Sequence, residues 1–356
     1  MSGLPLALLL AIFVGSAGAI WVAGTRLSDT TDVLATRLGL GEALGGVILL
    51  AIATNLPEIA ITGSAALAHN LGIAIGNILG GIAIQTVVLV ALDAFGVRGE
   101  RPLTYRAASL QLVLEGAFVV AVLVVSVAGT RLPRSLIAFR VAPAGLLIAV
   151  LWIVGLLLLS RAGKDLPWHE AGQPPDSQDP PRGVAAKQKE QHATEQNKST
   201  ARTAAVFAVS AVVTLVAGVL LERSGNGIAG HIGLSGVLFG ATILAAATSL
   251  PELSTGLTSV RLGDYQLAMS DIFGGNAFLP VLFLFASLLS GTAVLPQAQD
   301  TDVYLTALGA LLTVVYVVGL IFRPRRRIAR MGIDSLAVLV LYVLGVAGLV
   351  AIAQGG

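Results

Sequence analysis

The chain has 356 residues, of which 55% are hydrophobic and 12% are charged, against about 25% charged residues in a soluble domain. Its mean hydropathy of +0.86 indicates that lipid is its main solvent, whereas a formal net charge of +2 says little. The absence of cysteine excludes disulfides, thiolate metal sites and cysteine nucleophiles. No basic–aromatic run suggests a nucleic-acid partner, and no phosphate loop, nucleophile elbow or zinc-protease motif suggests an enzyme.

Ten apolar stretches of roughly 20 residues are long enough to cross a bilayer as helices. The first stretch could be a cleaved signal, but no Lys or Arg precedes it, so a retained span is predicted. The predicted spans are Leu4–Gly24, Leu40–Ala68, Leu71–Phe95, Ala107–Ala128, Val141–Leu159, Thr203–Leu221, Ile232–Ser259, Gln266–Leu289, Val303–Phe322 and Ser335–Ala353.

Residues 161–202 separate the fifth span from the sixth. They are rich in Pro, Gln, Lys and Glu and hold almost no large apolar side chains, so they predict a solvated, disordered linker. The chain is thereby divided into residues 1–160 and 203–356, with five predicted spans each.

The distribution of Lys and Arg predicts the orientation in the membrane. The loops after the odd-numbered spans hold 18 of the 22 basic residues, and the opposite loops hold 4. We therefore expect a multi-pass inner-membrane protein, with the linker and the Arg323–Arg330 cluster in the cytoplasm and both termini outside. The basic cluster is interpreted as an orientation anchor, with an anionic-lipid site as the alternative.

Two halves of five spans each must enter the membrane from opposite sides, so a shared ancestry would make them inverted repeats. At an offset of 194 residues, Gly39-Leu40, Gly46 and Ala51 recur, and Ala53-Thr54-x-Leu56-Pro57-Glu58 recurs as Ala247-Thr248-x-Leu250-Pro251-Glu252. Further on, Asn77 falls on Asp271 and Gly80-Gly81 falls on Gly274-Gly275. The sequence therefore predicts an all-α membrane protein of ten transmembrane helices in two inverted five-helix repeats.

The repeated T-x-L-P-E motif is suited to binding a cation. Pro57 and Pro251 have no N–H, so they leave the carbonyls of Ala53 and Ala247 without a helical partner and kink or break their helices. Backbone exposed in this way is tolerated at membrane depth where it lines a cavity or meets an ion. Thr54 lies on the same helix face as Glu58, as Thr248 does with Glu252, and carbonyl, hydroxyl and carboxylate oxygens are the ligands that Ca²⁺ prefers.

Glu58 and Glu252 are expected to meet near the midplane of the membrane. Unpaired carboxylates there would each cost at least a few kcal/mol, and neither predicted span contains a Lys or Arg. Their partner must be a bound cation or a proton. Two protonated glutamates in a structural role are the alternative.

Further acidic residues lie within the predicted spans. Asp271 is a candidate third carboxylate of the site, with Asn77 as its equivalent, while a helix-capping role is the alternative for Asp271. Glu115 and Asp93 are interpreted as interhelical or interfacial hydrogen-bonding groups rather than transport ligands.

The two segments 46–64 and 240–258, each with T-[SN]-L-P-E and each followed by a glycine-rich second helix, resemble the α-repeats of the cation/calcium exchanger superfamily, most closely the sodium/calcium exchanger family. The resemblance implies an alternating-access antiporter that binds Ca²⁺ and a monovalent counter-ion in turn, with membrane lipid as its surroundings and no cofactor other than the transported ions. It implies that Glu58 and Glu252 coordinate Ca²⁺ and that Thr54, Thr248 and Ser249 supply hydroxyl and backbone ligands.

The sequence departs from this family at several positions. Asn55 replaces a serine, Gly81 and Gly275 replace the serines of the second helices, Gln85 replaces the usual amide residue, and Leu279 stands where an Asp is common. These changes remove oxygens that Na⁺ would use. Exchange of Ca²⁺ for Na⁺ is therefore the leading hypothesis, with H⁺ coupling, another divalent cation, a channel or a non-transporting ion-binding protein as alternatives.

Overall fold

The computed structural model describes residues 4–37, 52–162, 199–234 and 236–355, and these residues are almost entirely helical. The helices are α1 (Leu6–Arg37), α2 (Leu56–Leu67), α3 (Leu71–Ala91), α4 (Leu103–Ala107), α5 (Leu110–Thr130), α6 (Pro143–Ala162), α7 (Thr200–Ile232), α8 (Gly236–Phe239), α9 (Ala245–Thr248), α10 (Leu250–Leu262), α11 (Tyr265–Phe278), α12 (Leu282–Ser290), α13 (Asp300–Phe322) and α14 (Ile333–Gly355). π-Helical turns at Leu92–Gly96 and Gly240–Leu244, 3₁₀ turns at Leu279–Val281 and Leu295–Gln297, and two short antiparallel strands, β1 (Arg327–Ile328) and β2 (Met331–Gly332), complete the described elements.

Eight helical stretches of the described residues are long and apolar enough to cross a membrane. Large apolar side chains on their outer faces, such as Val14, Val124 and Val343, are more than half exposed, as expected for surfaces in contact with lipid. The prediction of an all-helical membrane protein is confirmed. The eight stretches are Leu6–Leu27, Leu71–Gly96, Leu110–Thr130, Pro143–Ala162, Thr200–Ile232, Tyr265–Ser290, Asp300–Phe322 and Ile333–Ile352.

The predicted second and seventh spans are broken helices. The helical hydrogen bonding is interrupted at Asn55 and at Ser249, whose backbone angles are alike (φ −93°, ψ 16° and φ −83°, ψ 5°). α2 and α10 restart one residue later and carry Pro57 and Pro251 in their first turns, where the missing N–H is not needed. The predicted breaks at the two prolines are confirmed, whereas residues 40–51 of the second span, with the Gly46 and Ala51 matches, lie outside the described residues.

The helices that follow the breaks begin at equivalent positions in the two halves. α2 begins at Leu56 and α10 at Leu250, and α3 begins at Leu71 and α11 at Tyr265. Both pairs keep the offset of 194 residues found in the sequence. The local structure around the motif is thus the same in the two halves.

α3 crosses the π-helical turn Gly240–Leu244 at very short range. A methyl group added to Gly80 would overlap the backbone of Ala241, and one added to Gly240 would lie 3.1 Å from the backbone nitrogen of Asn77. Only glycine allows this approach, because any Cβ would push the two backbones apart. The crossing places the second helix of one half against the broken helix of the other.

α1 and α7 each pack a glycine on the motif of the opposite half. A Cβ on Gly24 would lie 2.8 Å from Pro251 Cγ, and a Cβ on Gly218 would lie 2.8 Å from Ala60 Cβ and 3.1 Å from the carbonyl oxygen of Pro57. Gly24 and Gly218 are also 194 residues apart. The equivalence of the two halves therefore extends to their first helices, where the sequence comparison did not find it.

The predicted linker, residues 161–202, falls largely outside the described residues. α6 ends at Ala162 and α7 begins at Thr200, close to the predicted boundaries.

Candidate cation site

Glu58 and Glu252 occupy the first turns of α2 and α10. Their side chains are 0% and 3% exposed, and neither carboxylate accepts a hydrogen bond from any described side chain or backbone group at ordinary geometry. They lie close enough together for their charges to repel. A carboxylate in the first turn of a helix is favoured by the positive end of the helix dipole, so the two broken helices support two negative charges at one enclosed place.

The residues before the two breaks surround these acids with hydroxyl groups. The Thr248 side chain faces the Glu58 carboxyl, while its hydroxyl donates to the carbonyl of Ala245 at 3.1 Å. Ser249 donates to the same carbonyl at 2.8 Å. Because both protons point into the helix, the lone pairs of both oxygens remain available to a cation.

In the first half, Thr54 is 6% exposed and accepts a hydrogen bond from Asn55 Nδ2 at 3.4 Å. Ala53 and Ala247 are also buried at the ends of the segments that precede the breaks. The proline four residues later cannot donate to their carbonyls, so these oxygens are suited to a cation as well.

Asp271 lies beside Glu252, close enough for their charges to repel. It is half-buried in the middle of α11 and accepts a hydrogen bond from Thr255 of α10 at 3.4 Å. The alternative that Asp271 caps this helix is wrong, because α11 is capped by Asp264, which accepts from Leu267 N at 3.1 Å. Asp271 therefore joins Glu58, Glu252 and Thr248 in one acidic region.

Amide side chains contribute further polar atoms. Gln85 and Asn55 converge on Gly275, where a Cβ would lie 3.4 Å from Gln85 Oε1 and 3.6 Å from Asn55 Nδ2. Gln85 is 1% exposed, and neither of its amide atoms has a hydrogen bond to a residue of the described segments. Asn77 is fully buried at the crossing of α3 with the π-helical turn, and its amide likewise has no hydrogen bond within the described residues.

The charge of the region is not balanced by protein groups in its own helices. α2, α3 and α11 contain no Lys or Arg, and α10 has only Arg261, one turn from its far end and exposed. In the part of the chain that the structure describes, no three Asp, Glu or His side chains converge as a metal-binding cluster. A cation between Glu58 and Glu252 would therefore complete its shell with hydroxyl and carbonyl oxygens.

Two other predicted acids have the hydrogen-bonding roles that the sequence indicated. Glu115 of α5 accepts from Ser270 of α11 at 3.0 Å and from Gln111 at 3.3 Å. Asp93 accepts from the backbone N–H groups of Leu103 and Gly332. Both predictions are confirmed.

Sequence reasoning missed several polar groups around the site. Asn276 is fully buried and donates to Thr86 Oγ1 at 3.2 Å, and Glu222 of α7 accepts from Ser64 of α2 at 3.0 Å. Thr86 and Asn276 lie in the second helices of opposite halves. The only sequence signal for them was a polar residue in an otherwise apolar stretch.

Comparison with known proteins identifies the family. The family model described as sodium/calcium exchanger protein matches residues 8–161 and 202–351, which is most of the chain. Among characterised sequences, the inner membrane protein YrbG of Escherichia coli (strain K12) is 26% identical over 279 residues, which cover 78% of either chain.

Two solved structures share the fold. The H⁺/Ca²⁺ exchanger CAX superposes with a TM-score of 0.69 at 14% identity, over 97% of this chain and 85% of that one. The sodium-calcium exchanger NCX_Mj gives a TM-score of 0.59 at 17% identity, over 96% and 99%. A buried acidic pair at two helix breaks, a family match along both halves and this shared fold lead to one conclusion: the chain is a multi-pass membrane protein of the sodium/calcium exchanger family.

Proposed function

We propose that the chain is a secondary active antiporter that exchanges Ca²⁺ for Na⁺ across the inner membrane. The observation that carries the proposal is the placement of Glu58 and Glu252, two buried carboxylates that lie close together without a neighbouring positive charge. Such a pair is tolerated when a mobile cation or proton neutralises it. Because the ions bind only in transit, the proposal assigns the chain no resident cofactor.

Ca²⁺ binds between Glu58 and Glu252 in this proposal. Thr54, Thr248, Ser249 and the carbonyls of Ala53 and Ala247 supply further oxygens, which matches the six to eight oxygen ligands that Ca²⁺ takes. Asn55, Asn77 and Asp271 are assigned to the edge of the same site. The two carboxylates neutralise the charge of the ion and set its position.

Ten spans in two inverted repeats, residues 1–160 and 203–356, belong to the same proposal. The equal offsets of the breaks and of the helix starts support the repeat, and the odd number of predicted spans in each half supports its inversion. The excess of Lys and Arg in the odd-numbered loops places residues 161–202 in the cytoplasm as a linker, and both termini outside. Packing of α1 on α10 and of α7 on α2 supports alternating access, because movement of these helices would open the site to either side.

One observation favours H⁺ as the coupling ion instead. Gly81 and Leu279 occupy positions where the family commonly has oxygen ligands, and in this protein they face each other: a Cβ on Gly81 would lie 3.4 Å from Leu279 Cδ1. An apolar contact there offers Na⁺ no ligand. A proton needs only a carboxylate, which Asp271 or the glutamates provide.

Ca²⁺ flux into proteoliposomes tests the proposal when Na⁺ and H⁺ gradients are imposed separately. Saturable uptake against an outward Na⁺ gradient, unaffected by a proton gradient at constant pH outside, supports Na⁺ coupling. Uptake driven by the proton gradient alone would replace Na⁺ with H⁺. Flux that needs no counter-ion would contradict an antiporter of either kind.

A further inference from the structure

A second pair of acids lies away from Glu58 and Glu252, where the end of α3 meets the start of α14. Asp93, in the π-helical turn after α3, is fully buried, and Asp334, in the first turn of α14, is 6% exposed. Their charges are close enough to repel. A methyl group added to Gly332 would contact Asp334 Oδ1 and lie 3.3 Å from Asp93 Oδ2, so both carboxylates border the same small space.

The hydrogen bonding at this place is incomplete. Asp93 accepts from Leu103 N at 2.9 Å and from Gly332 N at 2.6 Å. Neither oxygen of Asp334 has a hydrogen bond from the described residues at ordinary geometry. Thr104 is 1% exposed and its hydroxyl faces Asp334, yet that hydroxyl also has no hydrogen bond within the described segments. Buried polar groups left in this state require a ligand to complete them.

The nearby arginine does not neutralise the pair. Arg327 directs its guanidinium at backbone oxygens, and none of its hydrogen bonds goes to a carboxylate of Asp93 or Asp334. The acceptors are the carbonyls of Asp93 at 2.8 Å, Gly99 at 2.7 Å, Val97 at 3.4 Å and Arg330.

A similar packing arrangement elsewhere in the protein lacks the acids. Gly319 near the end of α13 lies directly against the Asp334 side chain, and Gly129 near the end of α5 lies against Ala144 in the same way, with a built Cβ 2.7 Å from Ala144 Cβ. A methyl group thus fills the position that a carboxylate occupies at α14.

The partner acid is replaced as well. Ser287 accepts from Val294 N at 3.4 Å, where Asp93 accepts from Leu103 N. The space beside Ser287 and Ala144 is lined mostly by apolar side chains. Packing of this kind is therefore achieved without acids, so the fold alone does not account for Asp93 and Asp334.

We propose that Asp93, Asp334 and Thr104 form a second cation site, separate from the central one, that binds a divalent cation of the Ca²⁺ type. Carboxylate and hydroxyl oxygens are ligands for such an ion, and its charge offsets the two acids. Asp93 and Thr104 come from the first half of the chain and Asp334 from the second, so the ion links the two halves. With the proposed orientation, this end of the bundle faces the cytoplasm, and the site makes transport responsive to the divalent cation concentration there.

The test is ⁴⁵Ca²⁺ binding to the purified full chain carrying Glu58→Gln and Glu252→Gln, which removes the central site. Saturable binding of about one ion per chain is expected to remain, in the affinity range of protein Ca²⁺ sites. Addition of Asp334→Asn or Asp93→Asn is expected to weaken this binding at least about tenfold, as loss of a charged ligand does. Ser287→Ala, at the comparable apolar place, serves as the matched control and leaves binding unchanged.

Two results would overturn this second site: no residual binding up to about 1 mM Ca²⁺, the weak end of protein Ca²⁺ sites, or residual binding that Asp334→Asn leaves intact. If an Asp variant fails to fold, Thr104→Val removes one ligand oxygen while keeping the shape of the side chain. Binding unchanged by Thr104→Val, measured on a chain with an unaltered elution volume, would count against the site equally. Because the measurement is of binding, its outcome does not depend on whether the chain transports ions.

Discussion

The Thr248 side chain faces the carboxyl group of Glu58, so the second half of the chain contributes to the surroundings of the acid in the first half. Its hydroxyl donates to the carbonyl of Ala245 at 3.1 Å. Two oxygens that both act as acceptors then face each other, an arrangement that is favourable only with a cation or proton between them. The relationship explains why neither Glu58 oxygen forms an ordinary hydrogen bond within the described residues.

Thr248→Val removes this oxygen and keeps the shape of the side chain. We expect Ca²⁺ affinity to fall by about tenfold, which corresponds to about 1.4 kcal/mol. Thr242→Val is the matched control, because Thr242 also donates within its own helix, to Leu238 O at 2.6 Å. Isothermal titration with Ca²⁺ measures both; equal losses in the two variants would remove Thr248 from the site.

The crossing of α3 with the π-helical turn predicts a sharp difference between neighbouring glycine pairs. Gly80→Ala forces a methyl group into the backbone of Ala241 and is expected to destabilise the protein by about 1–3 kcal/mol. Gly274→Ala, the equivalent change in the other half, meets no described atom within 4 Å and is expected to be neutral. Thermal unfolding in detergent compares them, and a stable Gly80→Ala variant would show that the crossing is looser than described.

The packing of the first helix of each half on the opposite motif predicts matched effects. Gly24→Ala and Gly218→Ala both place a methyl group within 2.8 Å of a motif atom, so each is expected to lower the Ca²⁺ exchange rate and to cost about 1–3 kcal/mol of stability. Gly18→Ala, with no described atom within 4 Å, is the control on α1. An effect of Gly24→Ala that Gly218→Ala does not share would contradict the structural equivalence of the two halves.

The coupling ion can be shifted by restoring the missing hydroxyl groups. Gly81→Ser and Gly275→Ser add oxygens where a Cβ has ordinary contacts of 3.4 Å, with Leu279 Cδ1 and Gln85 Oε1. Their combination is expected to lower the Na⁺ concentration for half-maximal Ca²⁺ exchange by about tenfold, equivalent to about 1.4 kcal/mol of binding. Gly274→Ser adds a hydroxyl one residue away, outside these contacts, so a Na⁺ response shared by all the variants would refute the assignment.

Much of the candidate site was predictable because its determinants are local. Pro57 and Pro251 interrupt helices by their chemistry alone, and each break places the next glutamate in a first helical turn. The offset of 194 residues then brought the two glutamates together without any structure. The Asp271 capping alternative was wrong, because a helix boundary six residues away could not be read from hydropathy.

The remaining groups depend on long-range packing that no local pattern encodes. Asp93 and Asp334 belong to different halves and were separated in the sequence analysis, which placed only Asp93 among the candidate acids. Gly24 and Gly218 lie in apolar helices where glycine is common, so only their contacts with Pro251 and Pro57 reveal a role.

Ca²⁺ flux through Glu58→Gln and Glu252→Gln variants in proteoliposomes tests the central claim most directly. Each variant is expected to lose at least about 100-fold of the flux, since it removes a charged ligand for the ion, about 2.7 kcal/mol or more. Glu115→Gln, an isosteric change at a buried acid held by Ser270, is expected to retain it. Wild-type flux that persists in Glu58→Gln or Glu252→Gln would contradict the assignment of the transported ion to this pair.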